Sequence, residues 1–176
     1  MHEAVEAGMR TGLVNSGSII EPGTSAFVAS VESRGMLAEI TKQVVESNVD
    51  LLFSGGEEWF IPDTTKGIHC EYGKRTDGLN LIEIAKSKGY KIVYTIEDMN
   101  KLADETKKVL GIFSEGHTFN DKSEEIQKEL GIDHYKPNTP TLAEMTKTAI
   151  RILSHNNAQF YLVVEEEATD NFANKN

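Results

Sequence analysis

Apolar runs alternate with helical patterns along most of this chain. Apolar residues spaced three or four apart predict amphipathic helices, and short runs rich in β-branched and aromatic residues predict buried strands. The predicted strands are Thr11–Asn15, Val49–Phe53, Lys91–Thr95, Val109–Phe113 and Phe160–Val164. The predicted helices are Glu3–Met9, Ser25–Val31, Met36–Glu46, Asn80–Lys88, Asp98–Lys107, Ser123–Leu130 and Thr141–Ser154. Strands joined by helical crossovers predict a three-layer α/β fold, in which helices flank a mostly parallel sheet.

The last of these helices has the clearest start signal. Pro140 precedes it, and Thr141 stands three residues before Glu144, which is the spacing of a capping box. Its apolar stripe consists of Leu142, Met145, Ala149, Ile152 and Leu153. A stripe of this kind predicts that one face of the helix packs on the sheet.

Composition limits the classes of protein to consider. The 176 residues, 39% of them hydrophobic, suffice for a single α/β domain over 1–176. A formal net charge of −10 argues against nucleic-acid binding and leaves no basic patch for a membrane surface. No apolar stretch is long enough for a membrane span, and the N-terminus lacks the layout of a signal peptide. Cys70 is the only cysteine, so no disulfide can form within the chain.

The last predicted strand ends in carboxylates. Glu165, Glu166 and Glu167 follow the apolar run directly, and Asp170 comes soon after. In α/β sheets the chemistry lies just beyond the carboxyl ends of the strands, where carboxylates suit Mg²⁺ or, with histidine partners, Zn²⁺. Asp170 and Asn174 would share one face of a helix that begins near Asp170. On this spacing alone, a metal site and a solvated acidic strand end both remain open.

Six segments of the chain resemble the alkaline phosphatase family, in the same order. They read EAGMRTGLVNSGSIIEPGTSAFVASVESRG, NVDLLFSGGEEWF, DGLNLIEIAKSKGYKIVYT, KVLGIFSEGH, PTLAEMTKTAIRILSHN and FYLVVEEEATDN. The first is similar to the family's strand and turn that lead to a Ser-Arg pair, and the last to its metal-binding strand. The resemblance runs nearly from end to end. It implies an alkaline-phosphatase-like fold of which this chain is an incomplete part, a fragment of a longer domain.

The resemblance assigns a substrate-binding role to Arg34. This residue matches the arginine that binds the substrate phosphate in the family. A guanidinium suits that role because its planar fork donates two hydrogen bonds to two phosphate oxygens and stays charged. Without the resemblance, Arg34 would be interpreted as a surface arginine near a helix end.

The resemblance also assigns metal ligands. Glu165 matches the glutamate of the magnesium site, and Asp170 matches an aspartate ligand of one zinc. Glu21 falls where the family has Asp or His beside the magnesium site. Gly23 falls where a threonine hydroxyl helps to bind magnesium, and a shift of one residue would give that role to Thr24.

Two departures from the family pattern affect this site. Asn174 stands where the family has a zinc-binding histidine, and an amide oxygen is the poorer zinc ligand. The metal there is therefore expected to be bound more weakly, to be a different one, or to be held through water. Glu166 and Glu167 replace the small residues that follow the metal-binding glutamate, and both extra ligation and a solvated rim remain open for them.

The activity implied by the resemblance is phosphate monoester hydrolysis through a phosphoserine, with Zn²⁺ and Mg²⁺ as cofactors. The family's nucleophilic serine lies upstream of the matched segments, and its remaining zinc ligands lie downstream. We therefore expect this chain to be inactive alone. The resemblance further implies a homodimer and a periplasmic or extracellular location. The alternative is a truncated, non-catalytic homologue that binds only metal or phosphate, whereas a sulfatase or phosphomutase relative is disfavoured because the six segments fit alkaline phosphatases.

Overall fold

The computed structural model describes residues 1–173, whose strands form one parallel sheet. The five strands are β1 (Arg10–Ser18), β2 (Leu51–Gly55), β3 (Lys91–Val93), β4 (Val109–Ile112) and β5 (Phe160–Glu165). Their order across the sheet is β3-β4-β2-β1-β5, and every neighbouring pair is parallel. Each strand overlaps its predicted run, so the predicted parallel sheet is confirmed.

Eight α-helices lie before, between and after these strands within residues 1–173. They are α1 (His2–Glu6), α2 (Pro22–Ser25), α3 (Leu37–Glu46), α4 (Leu81–Ser87), α5 (Ile96–Asn100), α6 (Glu124–Leu130), α7 (Leu142–Leu153) and α8 (Glu167–Ala173). The predictions for α3, α4, α6 and α7 are correct to within one residue at each end. The capping box of α7 is present, because the Thr141 hydroxyl accepts from the Glu144 backbone N–H and the Glu144 carboxylate accepts from that of Thr141. None of these helices is long and apolar enough to cross a membrane.

Each face of the sheet carries its own apolar core. Successive strand residues point to opposite faces, so on β1 Leu13 belongs to one core and Val14 to the other. The first core joins the sheet to α3 and α4 and includes Leu13, Leu52, Leu110, Val44, Leu81 and Ala85. The second joins it to α7 and includes Val14, Phe53, Val109, Met145, Ala149 and Ile152. Helices on both faces of the sheet confirm the three-layer arrangement.

The predicted helix Ser25–Val31 is wrong. The only helical turn there is α2, and the chain continues through tight turns over residues 26–28. The backbone N–H of Ser30 donates to the Gln43 side-chain oxygen on α3 at 2.8 Å. This bond holds the segment against α3. A helix that continued to Val31 would carry the chain away from α3.

The predicted helix Asp98–Lys107 is also mostly wrong, because α5 ends at Asn100. The chain turns there and buries Leu102 in the second core. The Arg151 guanidinium on α7 donates to the Leu102 carbonyl oxygen at 3.0 Å. Contacts with a distant helix therefore decide where α5 stops.

One buried arginine fixes the long connection between β2 and α4. The Arg75 side chain is fully buried and forms a two-pronged ion pair with Asp77. Its Nη1 donates to the carbonyl oxygens of Ala38 at 2.8 Å and Trp59 at 3.1 Å. Since Ala38 lies on α3, Arg75 ties this connection to the helix layer.

We expect Arg75→Ala to lower the free energy of unfolding by about 3 kcal/mol, because it removes a fully buried side chain and leaves two partly buried carbonyl groups and a carboxylate without their donor. The matched control is Lys86→Ala, whose ion pair with Glu83 on α4 is exposed and should be worth about 1 kcal/mol or less. Urea unfolding followed by circular dichroism measures both. Equal losses in the two variants would contradict the role given to Arg75.

Candidate functional site

The candidate site lies at the carboxyl ends of β1 and β5. These neighbouring strands pair in parallel register from Arg10 opposite Phe160 to Asn15 opposite Glu165. Just beyond them, β1 leads through Glu21 into α2, and β5 leads directly into α8. The pairing therefore brings together residues from the two ends of the chain.

Asn15 is the centre of this arrangement. Its side chain is fully buried, and its Nδ2 donates to Glu165 Oε2 at 2.6 Å and to the Thr24 hydroxyl oxygen at 3.0 Å. Its Oδ1 accepts from the Gly17 backbone N–H at 2.6 Å, which fixes the orientation of the amide. Asn15 thus holds Glu165 and Thr24 side by side.

Gly23 leaves the space that the Glu165 carboxylate occupies. A Cβ atom at position 23 would lie 1.7 Å from Glu165 Oε1, so no larger residue is compatible with this position of the carboxylate. The neighbouring Thr24 is fully buried, and its hydroxyl forms a hydrogen bond with Glu165. The hydroxyl beside Glu165 therefore comes from Thr24 and not from position 23, in agreement with a shift of one residue relative to the family pattern. The role of this hydroxyl in binding magnesium stays a prediction.

Three glutamates at this site influence one another. Burial, followed by the charge of Glu167 and a hydrogen bond with it, raises the pKa of Glu165 to about 7. Burial is also the main cause that raises the pKa values of Glu21 and Glu167. Like charges in a partly buried place favour protonation or a bound cation, so the cluster has the electrostatic character of a cation site.

Arg34 lies at the rim of the same cluster. Its Nη2 is 4.0 Å from Glu21 Oε2, and its side chain is 83% exposed. Burial raises the pKa values of Glu21 and Glu167, and the positive charge of Arg34 offsets part of that rise. The structure therefore brings the predicted phosphate-binding arginine to the predicted carboxylates, with its guanidinium open to solvent.

Glu166 and Glu167 point in different directions. The Glu166 carboxylate accepts from the Ser16 hydroxyl, from the Tyr135 hydroxyl at 3.2 Å and from the Ala168 backbone N–H at 3.2 Å. It therefore anchors the start of α8 and does not face Glu165. Glu167 instead is coupled to Glu165, which places its charge within the site.

The predicted zinc ligands are less completely placed. α8 begins at Glu167 and not near Asp170, and Asp170 lies on its exposed surface with its charge acting on Glu167. Asn174 lies outside the described residues. The zinc roles of both residues therefore stay predictions from the family resemblance.

The side-chain atoms beside Glu165 that could bind a metal are all oxygen atoms, from carboxylates and the Thr24 hydroxyl, whereas Asn15 Nδ2 donates a hydrogen bond to the carboxylate. Oxygen donors suit Mg²⁺, whereas zinc sites in proteins mostly contain nitrogen or sulfur ligands. Across residues 1–173, no three His, Cys, Asp or Glu side chains converge closely enough to hold a metal ion. The residues present thus fit part of a magnesium site.

Comparison with known proteins agrees with this geometry. The family model for alkaline phosphatase matches residues 1–176. The chain belongs to the alkaline phosphatase family. It is 30% identical over 182 residues to alkaline phosphatase 4 of Bacillus subtilis, and the match covers 100% of this chain and 34% of that protein.

Solved alkaline phosphatases share the fold. The structure from Thermus thermophilus superposes with a TM-score of 0.69 at 27% identity, over 93% of this chain and 30% of that one. A mutant of TAB5 alkaline phosphatase, solved with Mg bound, superposes with a TM-score of 0.63 at 22% identity, over 90% of this chain and 39% of that one. The chain thus spans about a third of the length of these relatives.

The sequence patterns do not identify Asn15 or separate Glu167 from Glu166. Asn15 ends the predicted strand Thr11–Asn15. A polar residue at the carboxyl end of a buried strand is the one feature of the sequence that could have indicated a role at the site. Its partner Glu165 is 150 residues away, so only the strand pairing brings the two together.

We expect Glu165→Gln, without divalent cations, to raise the free energy of unfolding at pH 8 by about 1 kcal/mol, allowing for partial exposure. The pKa of Glu165 rises from 4.5 to about 7 on folding, so the folded wild type binds this proton more tightly. Its stability contribution is present below pH 4.5 and is lost as the pH rises through about 7, whereas glutamine does not titrate. At pH 5 the two proteins should therefore differ little.

Urea unfolding in EDTA at both pH values measures this difference. The control is Glu46→Gln, because Glu46 is exposed at the end of α3, which leads into the amino end of β2, whereas the site lies at the carboxyl ends of the strands. A Glu165→Gln protein with the same pH dependence as the wild type would show that the carboxyl is not protonated in the folded state.

Proposed function

We propose that this chain supplies the phosphate-binding arginine and part of the metal site of a phosphoric monoester hydrolase of the alkaline phosphatase type. The observation that supports this most strongly is the meeting of Arg34 with Glu21 beside Glu165, at the carboxyl ends of two parallel strands. A phosphate ester carries anionic oxygens. A bound cation and a guanidinium at the rim of the cluster would both stabilise that negative charge.

Arg34 would bind the substrate phosphate. Its exposed guanidinium can donate two parallel hydrogen bonds to two phosphate oxygens. Glu21, 4.0 Å away, holds the side chain near the cluster without enclosing it. The net charge of −10 makes this local positive charge necessary for an anionic substrate.

Glu165, Thr24 and Glu21 would hold Mg²⁺. When bound, magnesium would offset the charge of the phosphate and orient water. Asn15 keeps the Glu165 carboxylate turned toward Thr24, and Glu167 adds negative charge that strengthens attraction for the cation.

Zn²⁺ remains a proposal that rests on the family. Asp170 would supply one zinc ligand, Asn174 would be a weak one, and the nucleophilic serine with the other zinc ligands would come from the rest of the family's domain. The homodimer and the periplasmic or extracellular location are proposals of the same kind. The second candidate is a truncated, non-catalytic homologue that binds only metal or phosphate.

We expect the purified 176-residue chain to hydrolyse no aryl phosphate above background at alkaline pH with Zn²⁺ and Mg²⁺. Catalytic groups that act as a unit lose nearly all activity when one is missing. The assay follows release of the phenol by absorbance. Metal-dependent turnover that survives repurification and is lost in Arg34→Ala would show that the chain is catalytically complete.

We expect Mg²⁺ at saturating concentration to raise the melting temperature by about 3 °C, and Glu165→Gln to remove that increase. Arg34→Ala should keep the response to Mg²⁺ but weaken binding of inorganic phosphate by about 1.5–3 kcal/mol, because it removes charge-assisted hydrogen bonds. Differential scanning calorimetry and isothermal titration calorimetry measure the two effects.

Glu46→Gln again serves as the control, since it removes a carboxylate far from the site. An Mg²⁺ response that persists in Glu165→Gln would exclude Glu165 as a ligand. Unchanged phosphate binding in Arg34→Ala would exclude the role given to the arginine.

A further inference from the structure

The turn between β5 and α8 consists of a single residue. β5 ends at Glu165 and α8 begins at Glu167, so Glu166 alone links them. The direction in which α8 leaves the sheet therefore depends on how Glu166 is held. The position of Glu167 beside Glu165 follows from that direction.

Three donors hold the Glu166 carboxylate. One oxygen accepts from the Ser16 hydroxyl and from the Ala168 backbone N–H at 3.2 Å, and the other accepts from the Tyr135 hydroxyl at 3.2 Å. The Ser16 side chain is fully buried, and its oxygen in turn accepts from the Glu167 backbone N–H at 3.0 Å. Glu166 and Ser16 therefore fix the first turn of α8 to the carboxyl end of β1.

Tyr135 extends this network to α7. Its hydroxyl, which donates to Glu166, also accepts from the Leu142 backbone N–H at 3.3 Å. Leu142 is the first residue of α7. The Glu166 carboxylate is therefore held from two sides, by the end of β1 and by a side chain anchored to α7.

Gly17 gives Glu167 the room to lie against the sheet. A Cβ atom at position 17 would lie 2.9 Å from both Cβ and Cγ of Glu167. Gly17 does not have a positive φ angle, so its backbone conformation is open to other residues. A glycine inside a strand often marks such a close approach. Gly17 and Glu166 thus constrain the position of Glu167 independently of each other.

We propose that Glu166 is a positioning residue: it keeps the Glu167 carboxylate against Glu165 and so makes the site selective for Mg²⁺ over Ca²⁺. The proposal rests on the proposed role of Glu165 in binding magnesium. Both oxygens of Glu166 already accept hydrogen bonds from groups outside the cluster. Glu166 therefore acts through the turn and not as a ligand.

The selectivity follows from the different geometric demands of the two ions. Mg²⁺ requires a nearly ideal octahedron of oxygen atoms at about 2.0–2.1 Å, whereas Ca²⁺ accepts longer distances and variable angles. A displaced carboxylate therefore weakens Mg²⁺ binding more than Ca²⁺ binding. A change in net charge, by contrast, affects two divalent ions alike, so the ratio of their affinities reports the position of the carboxylates.

The test measures binding of Mg²⁺ and of Ca²⁺ to the purified chain by isothermal titration calorimetry. We expect Glu166→Ala to weaken Mg²⁺ binding about tenfold and Ca²⁺ binding about twofold. Glu166→Gln removes the same charge but keeps an oxygen for Ser16 and Ala168, so it should leave the ratio of the two affinities unchanged. An unchanged ratio in Glu166→Ala, or the same loss of ratio in both variants, would overturn the proposal.

Gly17→Ala displaces Glu167 without removing a charge, so it should lower the ratio as Glu166→Ala does. The matched control is Asn80→Ala. The Asn80 side chain accepts from two backbone N–H groups at the start of α4, which packs on the face of the sheet opposite α7. Loss of this helix cap should lower the stability and keep the ratio. A ratio that stays unchanged in Gly17→Ala, or that falls in Asn80→Ala as far as in Glu166→Ala, would contradict the proposal.

Amide hydrogen exchange in EDTA, followed by NMR, separates this proposal from the proposed function. The Ala168 N–H donates to Glu166, so it should exchange about tenfold faster in Glu166→Ala and at the wild-type rate in Asn80→Ala. If the wild type binds neither ion, the magnesium role of Glu165 falls, and the exchange rate still decides whether Glu166 holds the turn. An unchanged rate in Glu166→Ala would overturn the positioning role whether or not a metal binds.

Discussion

One hydrogen bond joins the two ends of the chain at the candidate site. Asn15 Nδ2 donates to Glu165 Oε2 at 2.6 Å, across 150 positions of sequence. The Asn15 side chain is fully buried. The bond can form because β1 and β5 pair in parallel with Asn15 opposite Glu165. The position of Glu165, its contact with Thr24 and its coupling to Glu167 all depend on it.

This arrangement opposes folding at alkaline pH and favours cation binding for the same reason. Glu21, Glu165 and Glu167 are partly removed from water, and burial raises the pKa of each. Arg34 offsets only part of the negative charge, because its guanidinium is exposed and screened by solvent. A cation that neutralises the cluster would therefore stabilise the fold.

Most of the fold follows from local patterns. The apolar runs of the strands and the capping box of α7 are encoded within a few neighbouring residues, and the structure has them where the sequence predicts. Local patterns fail at residues 25–31 and 98–107, where apolar residues at helical spacing form turns. Bonds from Gln43 and Arg151, both on other helices, hold the chain in those turns.

At the site, the sequence by itself selected the candidate residues: the family resemblance singles out Arg34, Glu21 and Glu165, and the acidic strand end predicts a bound cation. Only the tertiary structure decided how they act together. It placed Asn15 against Glu165 and turned Glu166 toward Ser16 and away from the cluster. These outcomes depend on the register between two strands that lie far apart in sequence, and no short segment of the chain contains both partners.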